Sequence, residues 1–237
     1  HPVLSPDGKN IAYMTAVGIF PAIVIRRLPG PGVSREKAEE VKIVVRALRS
    51  EDYEEYQPLT TRLSFSPDGK KIILAGRRSG RQALLIIGLE EKEVTGDFSP
   101  PFDAIQYPAM SPDGKKIVFS VFFRGSSDLY ILDTSDGSLE RQTNDACYET
   151  GPSFSQDMRL LYYSSNCVVD PQRQYDAPAR EIYRLEISSG VKTRLTELGV
   201  NSDSPMPAGD GSLVFRSNFT GVSNLYRIPE AASRAAP

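Results

Sequence analysis

Short apolar runs return along this chain at near-regular intervals, and three of them follow the same five polar letters. "SPDGK" stands at 5–9, 66–70 and 111–115, ahead of "NIAYMT" (10–15), "KIILAG" (71–76) and "KIVFSV" (116–121). Proline presets φ for a tight turn, Asp bonds its own backbone two residues on, and Gly accepts positive φ. The flanking Ile, Val, Leu, Phe and Tyr are strand formers. Pro6, Asp7, Gly8, Pro67, Asp68, Gly69, Pro112, Asp113 and Gly114 are therefore expected as structural turns, and "LSFSPDGKKIILAG" (63–76) as a β-hairpin. Turn formation is the ordinary reading of Asp7, Asp68 and Asp113. A catalytic or metal-binding role is the alternative.

The pattern continues in altered form. "SFSQDMRLLYYSS" (153–165) has Asp157 at the turn, and "PAGDGSLVFRSN" (207–218) has Asp210. Successive turn aspartates are 61, 45, 44 and 53 residues apart, a base period with two insertions. A glycine follows the turn Asp by 11 or 12 residues in four units (Gly18, Gly80, Gly125, Gly221), and an apolar strand follows it: "AIVIRRL", "ALLIIGL", "DLYILDT", "NLYRI". A short turn and a fourth extended segment come next ("SLERQT", "VKTRLT"). Four antiparallel strands per unit of about 40–45 residues define a propeller blade. The expected fold is all-β: a β-propeller of four-stranded antiparallel blades across 1–237, as a single domain or a fragment of one. Five blades are recognisable, at about 1–50, 51–98, 99–143, 144–197 and 198–230, with an irregular tail at 231–237. Both terminal blades read as incomplete, so the ring is expected to hold six blades or more. "SREKAEE" (34–40) is the one helix-like stretch.

Composition narrows the function classes. A net charge of −2 provides no electrostatic footprint for nucleic acid. No apolar run approaches the roughly 18 residues of a membrane-spanning helix. The single histidine, His1, is terminal, so a Ser–His–Asp triad has no imidazole base. "GPSFS" (151–155) fails the nucleophile-elbow pattern at its last position, and no "HExxH" occurs. Two cysteines and one histidine do not make a structural zinc site. Glycine-rich nucleotide fingerprints are absent. No catalysis by this segment itself and no cofactor are expected. Calcium held by "TNDA" (143–146) or "NSDS" (201–204) is the remaining metal possibility, against ordinary loop chemistry.

"PAMSPDGKKIVFSVFFRGSSDLYILDTSDGSLERQTND" (108–145) resembles the WD-like "PDGK" repeat of TolB-type propellers. The resemblance covers nearly the whole chain and is strongest in units two and three. It implies a scaffold that binds protein or peptide. Similar repeats also guard serine or metallo-peptidases and occur in some polysaccharide lyases, so the fold alone does not decide the function.

The hairpin of unit four folds about residues 157–158, so paired residues should have numbers summing to about 315; Cys147 and Cys167 sum to 314. They are read as a disulfide at the open end of that hairpin, anchoring the 166–180 insertion. Two free thiols in a cytosolic protein are the alternative. A disulfide would place the protein in the periplasm or another exported setting.

The binding face is expected on the rim opposite the "SPDG" turns. Its loops are "SEDYEEYQP" (50–58), "SPPFDAIQYP" (99–108), "NDACYETGP" (144–152) and "GVNSDSP" (199–205), with the unit-four insertion "NCVVDPQRQYDAPAR" (166–180). Tyr53, Tyr56, Tyr107, Tyr148 and Tyr175 recur there, with Glu149 and Asp203 beside them. Tyrosine joins large contact area to a polar tip and is favoured in interfaces. Packing of loop on blade is the competing role. The function expected is a non-catalytic scaffold for a protein or peptide partner, with the propeller domain of a larger peptidase as the alternative.

Overall fold

The computed structural model describes residues 2–17, 20–29, 41–46, 53–56, 62–167, 179–197 and 199–229. The chain divides into two compact units, His1–Gly114 and Lys115–Pro237. Among the described residues all regular structure is strand, in five small antiparallel sheets joined in series. These are blades of the β-propeller kind. The helix-like "SREKAEE" lies outside the described residues.

The first sheet runs β1 (Val3–Leu4), β2 (Asn10–Val17), β3 (Phe20–Arg27), β4 (Val41–Arg46). In the second, β7 (Lys71–Arg78), β8 (Arg81–Gly88) and β9 (Glu93–Phe98) follow two short pieces that both pair with β7: β5 (Tyr53–Tyr56) and β6 (Ser64–Phe65). The third is β10 (Ile105–Met110), β11 (Lys116–Phe123), β12 (Ser126–Asp133), β13 (Leu139–Arg141). The fourth is β14 (Glu149–Phe154), β15 (Leu160–Ser165), β16 (Glu181–Glu186), β17 (Lys192–Arg194), and the last is β18 (Ser202–Pro207), β19 (Leu213–Ser217), β20 (Asn224–Ile228).

The unbroken apolar runs have a simple cause. A middle strand of a blade is covered on both faces, so nothing forces it to alternate. In β7, Ile72 through Ala75 are all buried, and β8 buries Ala83, Leu84 and Leu85 in succession. In the first unit Ile72 and Leu74 pack with Ile23, Ile25 and Leu85. In the second, Tyr162 and Ile182 pack with Leu213 and Phe215. The last strands, β13 and β17, are half-buried or exposed along their length, and their sequences "LER" and "KTR" are polar accordingly.

The "SPDG" turns are hydrogen-bonded as the sequence predicts, with an added partner. In the second copy the Gly69 amide donates to the Ser66 carbonyl at 2.9 Å, the Ser66 hydroxyl donates to Asp68 Oδ1 at 2.5 Å, and the Lys71 amide donates back to Ser66 Oγ at 2.9 Å. The Ser66 hydroxyl most of all, and the Lys70 amide that donates to the same oxygen at 3.0 Å, hold the Asp68 carboxyl below the usual carboxylate range. Asp7 behaves alike for the same reason. The altered fourth copy keeps the Ser155–Asp157 bond at 2.6 Å but puts Met158 at φ 60°, where the others have glycine.

Successive turns also touch one another. A Cβ on Gly69 (φ +69°) would stand 3.7 Å from Pro6 Cδ, and one on Gly114 (φ +73°) 3.7 Å from Pro67 Cδ. The missing side chain therefore serves both the backbone conformation and the stacking of one turn on the previous proline. Gly69→Val is expected to lose about 1–3 kcal/mol, since a β-branched residue resists positive φ. A urea titration reads this directly, and a variant as stable as the parent would refute the requirement for glycine.

The first strands of three blades share a feature that period-two reasoning misses. Tyr107, Gly151 and Ser204 have positive φ (55°, 61° and 56°), and each precedes a proline: Pro108, Pro152, Pro205. The register of β14 on β15 shifts between Thr150 and Ser153, and that of β18 on β19 between Asp203 and Met206. A first strand is an edge strand with no ladder to complete on one side, so proline is tolerated there and a bulge follows. The bulge turns the residues before it away from those after it.

Candidate functional site

In the second unit the connection from β13 to β14 is stitched down on both sides. Thr143 Oγ1 accepts the Leu129 amide at 2.8 Å and donates to Glu149 Oε2. Ser127 Oγ donates to the Glu149 carbonyl at 2.7 Å and accepts its amide at 2.6 Å, while the Ser127 amide donates to the Cys147 carbonyl at 2.9 Å. On the other side the Tyr148 amide donates to Asn166 Oδ1 at 2.6 Å, and Cys147 is bonded to Cys167 with their Cα atoms 5.1 Å apart. The bulge explains this pairing. Before the shift, Glu149 pairs with Ser165, so the register continues to Cys147 opposite Cys167; after it, Phe154 pairs with Leu161, and the sum is one greater.

Glu149 is fully buried at the head of β14. It stands three residues before Pro152, where the neighbouring repeats have Ile105 and Ser202 before Pro108 and Pro205, both also buried. A carboxylate thus occupies a place that the repeat otherwise fills with an apolar or small residue. Its Oε1 has no hydrogen-bond partner, and Lys192 Nζ lies 3.6 Å away, itself 2.5 Å from Asp145 Oδ2. Burial pushes the Glu149 carboxyl up to about 7, outweighing the Thr143 hydroxyl and the Lys192 ammonium, which act the other way. Burial, with the Glu149 charge as a second cause, also holds the Tyr163 phenol above its ordinary range. The group is placed to take up or release a proton near neutrality inside the loop it anchors.

The threonine recurs one blade on, with its carboxylate partner on a third strand instead of a first. Thr196 Oγ1 accepts the Ile182 amide at 3.0 Å and donates to Glu181 Oε2, and the Gly199 amide donates to Glu181 Oε1 at 2.8 Å. Sequence reading missed Thr143, Thr196, Ser127 and Asn166. A signal was present: Arg141-Gln142-Thr143 and Arg194-Leu195-Thr196 repeat an Arg-x-Thr at the end of a last strand.

The closest set of possible metal ligands among the described residues is Asp145, Cys147 and Cys167, with ligand atoms within 4.8 Å of one another. With the two sulfurs joined, Asp145 alone has a charge to offer, and it is already paired with Lys192. The carboxylate of Asp203, in β18, is gripped by Arg216 through two bonds of 2.9 and 2.6 Å.

No family model matches the chain. The Tol-Pal system protein TolB of Francisella tularensis subsp. mediasiatica is 30% identical over 122 residues, which are 52% of this chain and 26% of the relative. The crystal structure of TolB from Acinetobacter baumannii superposes with a TM-score of 0.69 at 20% identity, over 98% of this chain and 51% of that one. The chain has a β-propeller fold similar to that of TolB. It spans about half the length of the Acinetobacter chain. It is also similar to the β-propeller domain of the trilobed protease from Pyrococcus furiosus, with a TM-score of 0.58 at 20% identity over 96% of this chain and 66% of that one.

The TolB-like propeller distributes the expected rim residues differently from a simple set of loops. Tyr148 and Glu149 come together in one stitched segment, with the Tyr148 ring 5.0 Å from that of Phe122. Tyr53 and Tyr56 lie in β5 and pair in register with Arg78 and Gly76, so they are strand residues. Tyr107 sits inside β10 at the bulge, and Asp203 inside β18. Glu149 is buried rather than presented to solvent. Tyr175 lies outside the described residues. The corrections share one cause: the first strands begin earlier than the loop composition indicates, because a bulge lets polar and Pro-containing sequence stay in the ladder. Phe123, which follows Phe122 in β11, is 60% exposed at the β11–β12 turn, with the Arg124 guanidinium 5.0 Å from its ring centre. No described helix is long and apolar enough to cross a membrane.

Proposed function

We propose that this TolB-like propeller is a non-catalytic scaffold that binds a protein or peptide partner in the periplasm or another exported setting. The observation that carries the reading is the stitched β13–β14 connection. A disulfide, Ser127 and Asn166 immobilise the segment that holds Tyr148 against Phe122, and the next residue of that strand, Phe123, is exposed at its turn. Rigid aromatic side chains held beforehand lose little entropy on binding, which is how a few residues come to dominate an interface. The disulfide supports an oxidising compartment.

A second reading is the propeller domain of a larger peptidase, where it would gate or orient substrate. The likeness to the propeller domain of the trilobed protease favours it. Peptidase activity in the parent protein whose substrate selection changes on removal of this chain would establish that reading.

The test of the first reading uses Phe123→Ala and Tyr148→Ala. Truncating an interface anchor is expected to weaken partner binding by tenfold or more, roughly 1.4 kcal/mol or above, with the urea midpoint little changed for Phe123→Ala. Capture from a periplasmic extract, quantified against the parent chain, reads the loss. An unchanged set of captured proteins at unchanged yield for both variants would remove this segment from the interface.

A further inference from the structure

A second candidate site lies in the first unit, against the rim loop 99–108 but among residues that the sequence did not single out. The β7–β8 turn at 79–80 and the segment 99–103 enclose an open groove of about 440 Å3. Roughly 300–1,000 Å3 is the ordinary size of a ligand cleft. One wall carries Arg77, Arg81 and Gln82, and the other Pro100, Pro101 and Phe102. Two consecutive prolines and the bond from the Phe102 amide to the Pro100 carbonyl at 2.8 Å make the second wall stiff.

The charges are unequal in their commitments. Arg78 is paired with Asp97. Arg77 spends one amino group on the Gly80 carbonyl at 3.2 Å, and its Nε is buried without a hydrogen-bond partner. Neither Arg77 nor Arg81 has an ion-pair partner among the described residues. A buried guanidinium donor left unpaired is costly, and a carboxylate is the planar acceptor that matches its fork. Asp103 lines the same groove. Two guanidiniums facing one carboxylate leave a single net positive charge, which suits a monoanion better than a dianionic phosphate.

We infer that this groove binds a carboxylate of an extended peptide, with Arg77 and Arg81 on the anion, Pro100 and Phe102 against an adjoining apolar residue, and Asp103 facing the peptide amides. The proposal rests on the scaffold reading only in taking the ligand to be a peptide, and it uses none of the residues of the β13–β14 segment.

The experiment is an unbiased peptide array probed with the whole chain, in parallel with Arg81→Gln, Arg77→Lys and Phe123→Ala, and repeated in the presence of inorganic phosphate. Asp, Glu or a free C-terminus next to an apolar residue should be enriched among the binders. Arg81 is exposed, so Arg81→Gln should leave the urea midpoint in place and lower these signals about tenfold, the weight of one charge-assisted pair. Arg77→Lys, which keeps the charge but loses the fork, should lower them as well. Arrays with amidated and free C-termini separate a side-chain carboxylate from a terminal one. Binders without acidic enrichment, retention of the same binders by Arg81→Gln, or displacement by phosphate at concentrations that leave other binders in place would each overturn the proposal. Loss of the acidic binders in Phe123→Ala alone would assign them to the β11–β12 turn instead, refuting the groove and sparing the scaffold reading.

Discussion

Removing the Cys147–Cys167 bond, by reduction or by a Cys147→Ser, Cys167→Ser pair, is expected to lower stability by about 3 kcal/mol. The bond closes a loop of 20 residues, and the chain-entropy model gives that figure for a loop of this size. The loss should show a pattern as well as a size. The Ser127 and Asn166 bonds to the same segment do not need the sulfurs, so the segment should loosen rather than leave. Amide exchange should rise most at Tyr148 and Glu149, while the core strands β11, β15 and β16 stay protected. Urea titrations with and without a dithiol reductant measure the first effect, and hydrogen exchange the second. Identical midpoints, or two free thiols per chain in unreduced protein from an oxidising compartment, would discard both the stabilisation and the argument for export.

The pH dependence of stability should carry the signature of Glu149. This carboxyl titrates from about 4.5 in the unfolded chain to about 7 in the folded one, chiefly because of burial. Between those values the folded state holds the proton that the unfolded state has released. Protons therefore favour the fold in this window: the contribution is fully present below pH 4.5 and is lost as the pH rises through 7. Its size is on the order of 3 kcal/mol. The turn carboxyls Asp7, Asp68 and Asp210 are lowered instead, so their slope has the opposite sign and falls below this window. Glu149→Gln keeps an acceptor for the Thr143 hydroxyl and removes the charge. It should flatten the profile between pH 4.5 and 7 and be more stable than the parent above pH 7, with Lys192 still paired to Asp145. Parallel stability curves for parent and variant across that range would contradict a buried, proton-holding carboxyl.

The first strands show why the binding residues were harder to read than the blades. "QYPAMS", "TGPSFS" and "DSPMPA" look like loop sequence by composition, each with proline and serine together. They pair as strands because each is an edge of its sheet, where a proline breaks no ladder, and because a residue at positive φ absorbs the kink. The same kink brings Cys147 and Cys167 directly opposite each other, a register that a bulge-free hairpin count misses by one. Glu149 was visible as a residue but not as a buried one. Its partner Thr143 is six residues away and belongs to the previous repeat, and Lys192 lies on the last strand of its own blade.

What the chain determined by itself was local. The Ser-Pro-Asp-Gly turn closes through bonds between residues at most five apart, Ser66 with Asp68, Gly69 and Lys71 among them, and needs no distant partner. The apolar runs of β7 and β11 name the middle strands because both faces of such a strand must be covered, and the recurrence of turn and run identifies the blade. The tertiary structure alone decided which polar groups would be left together in the covered space. Ser127 meets Glu149 across 22 residues, and Pro6 meets Gly69 across a whole blade. The arginine groove forms because a turn and a proline segment close over guanidiniums that read in sequence as an ordinary charged hairpin. Burial, ionisation and complementarity depend on what stands opposite a residue, and in a chain of stacked sheets the residue opposite is fixed by packing between repeats rather than by neighbours in sequence.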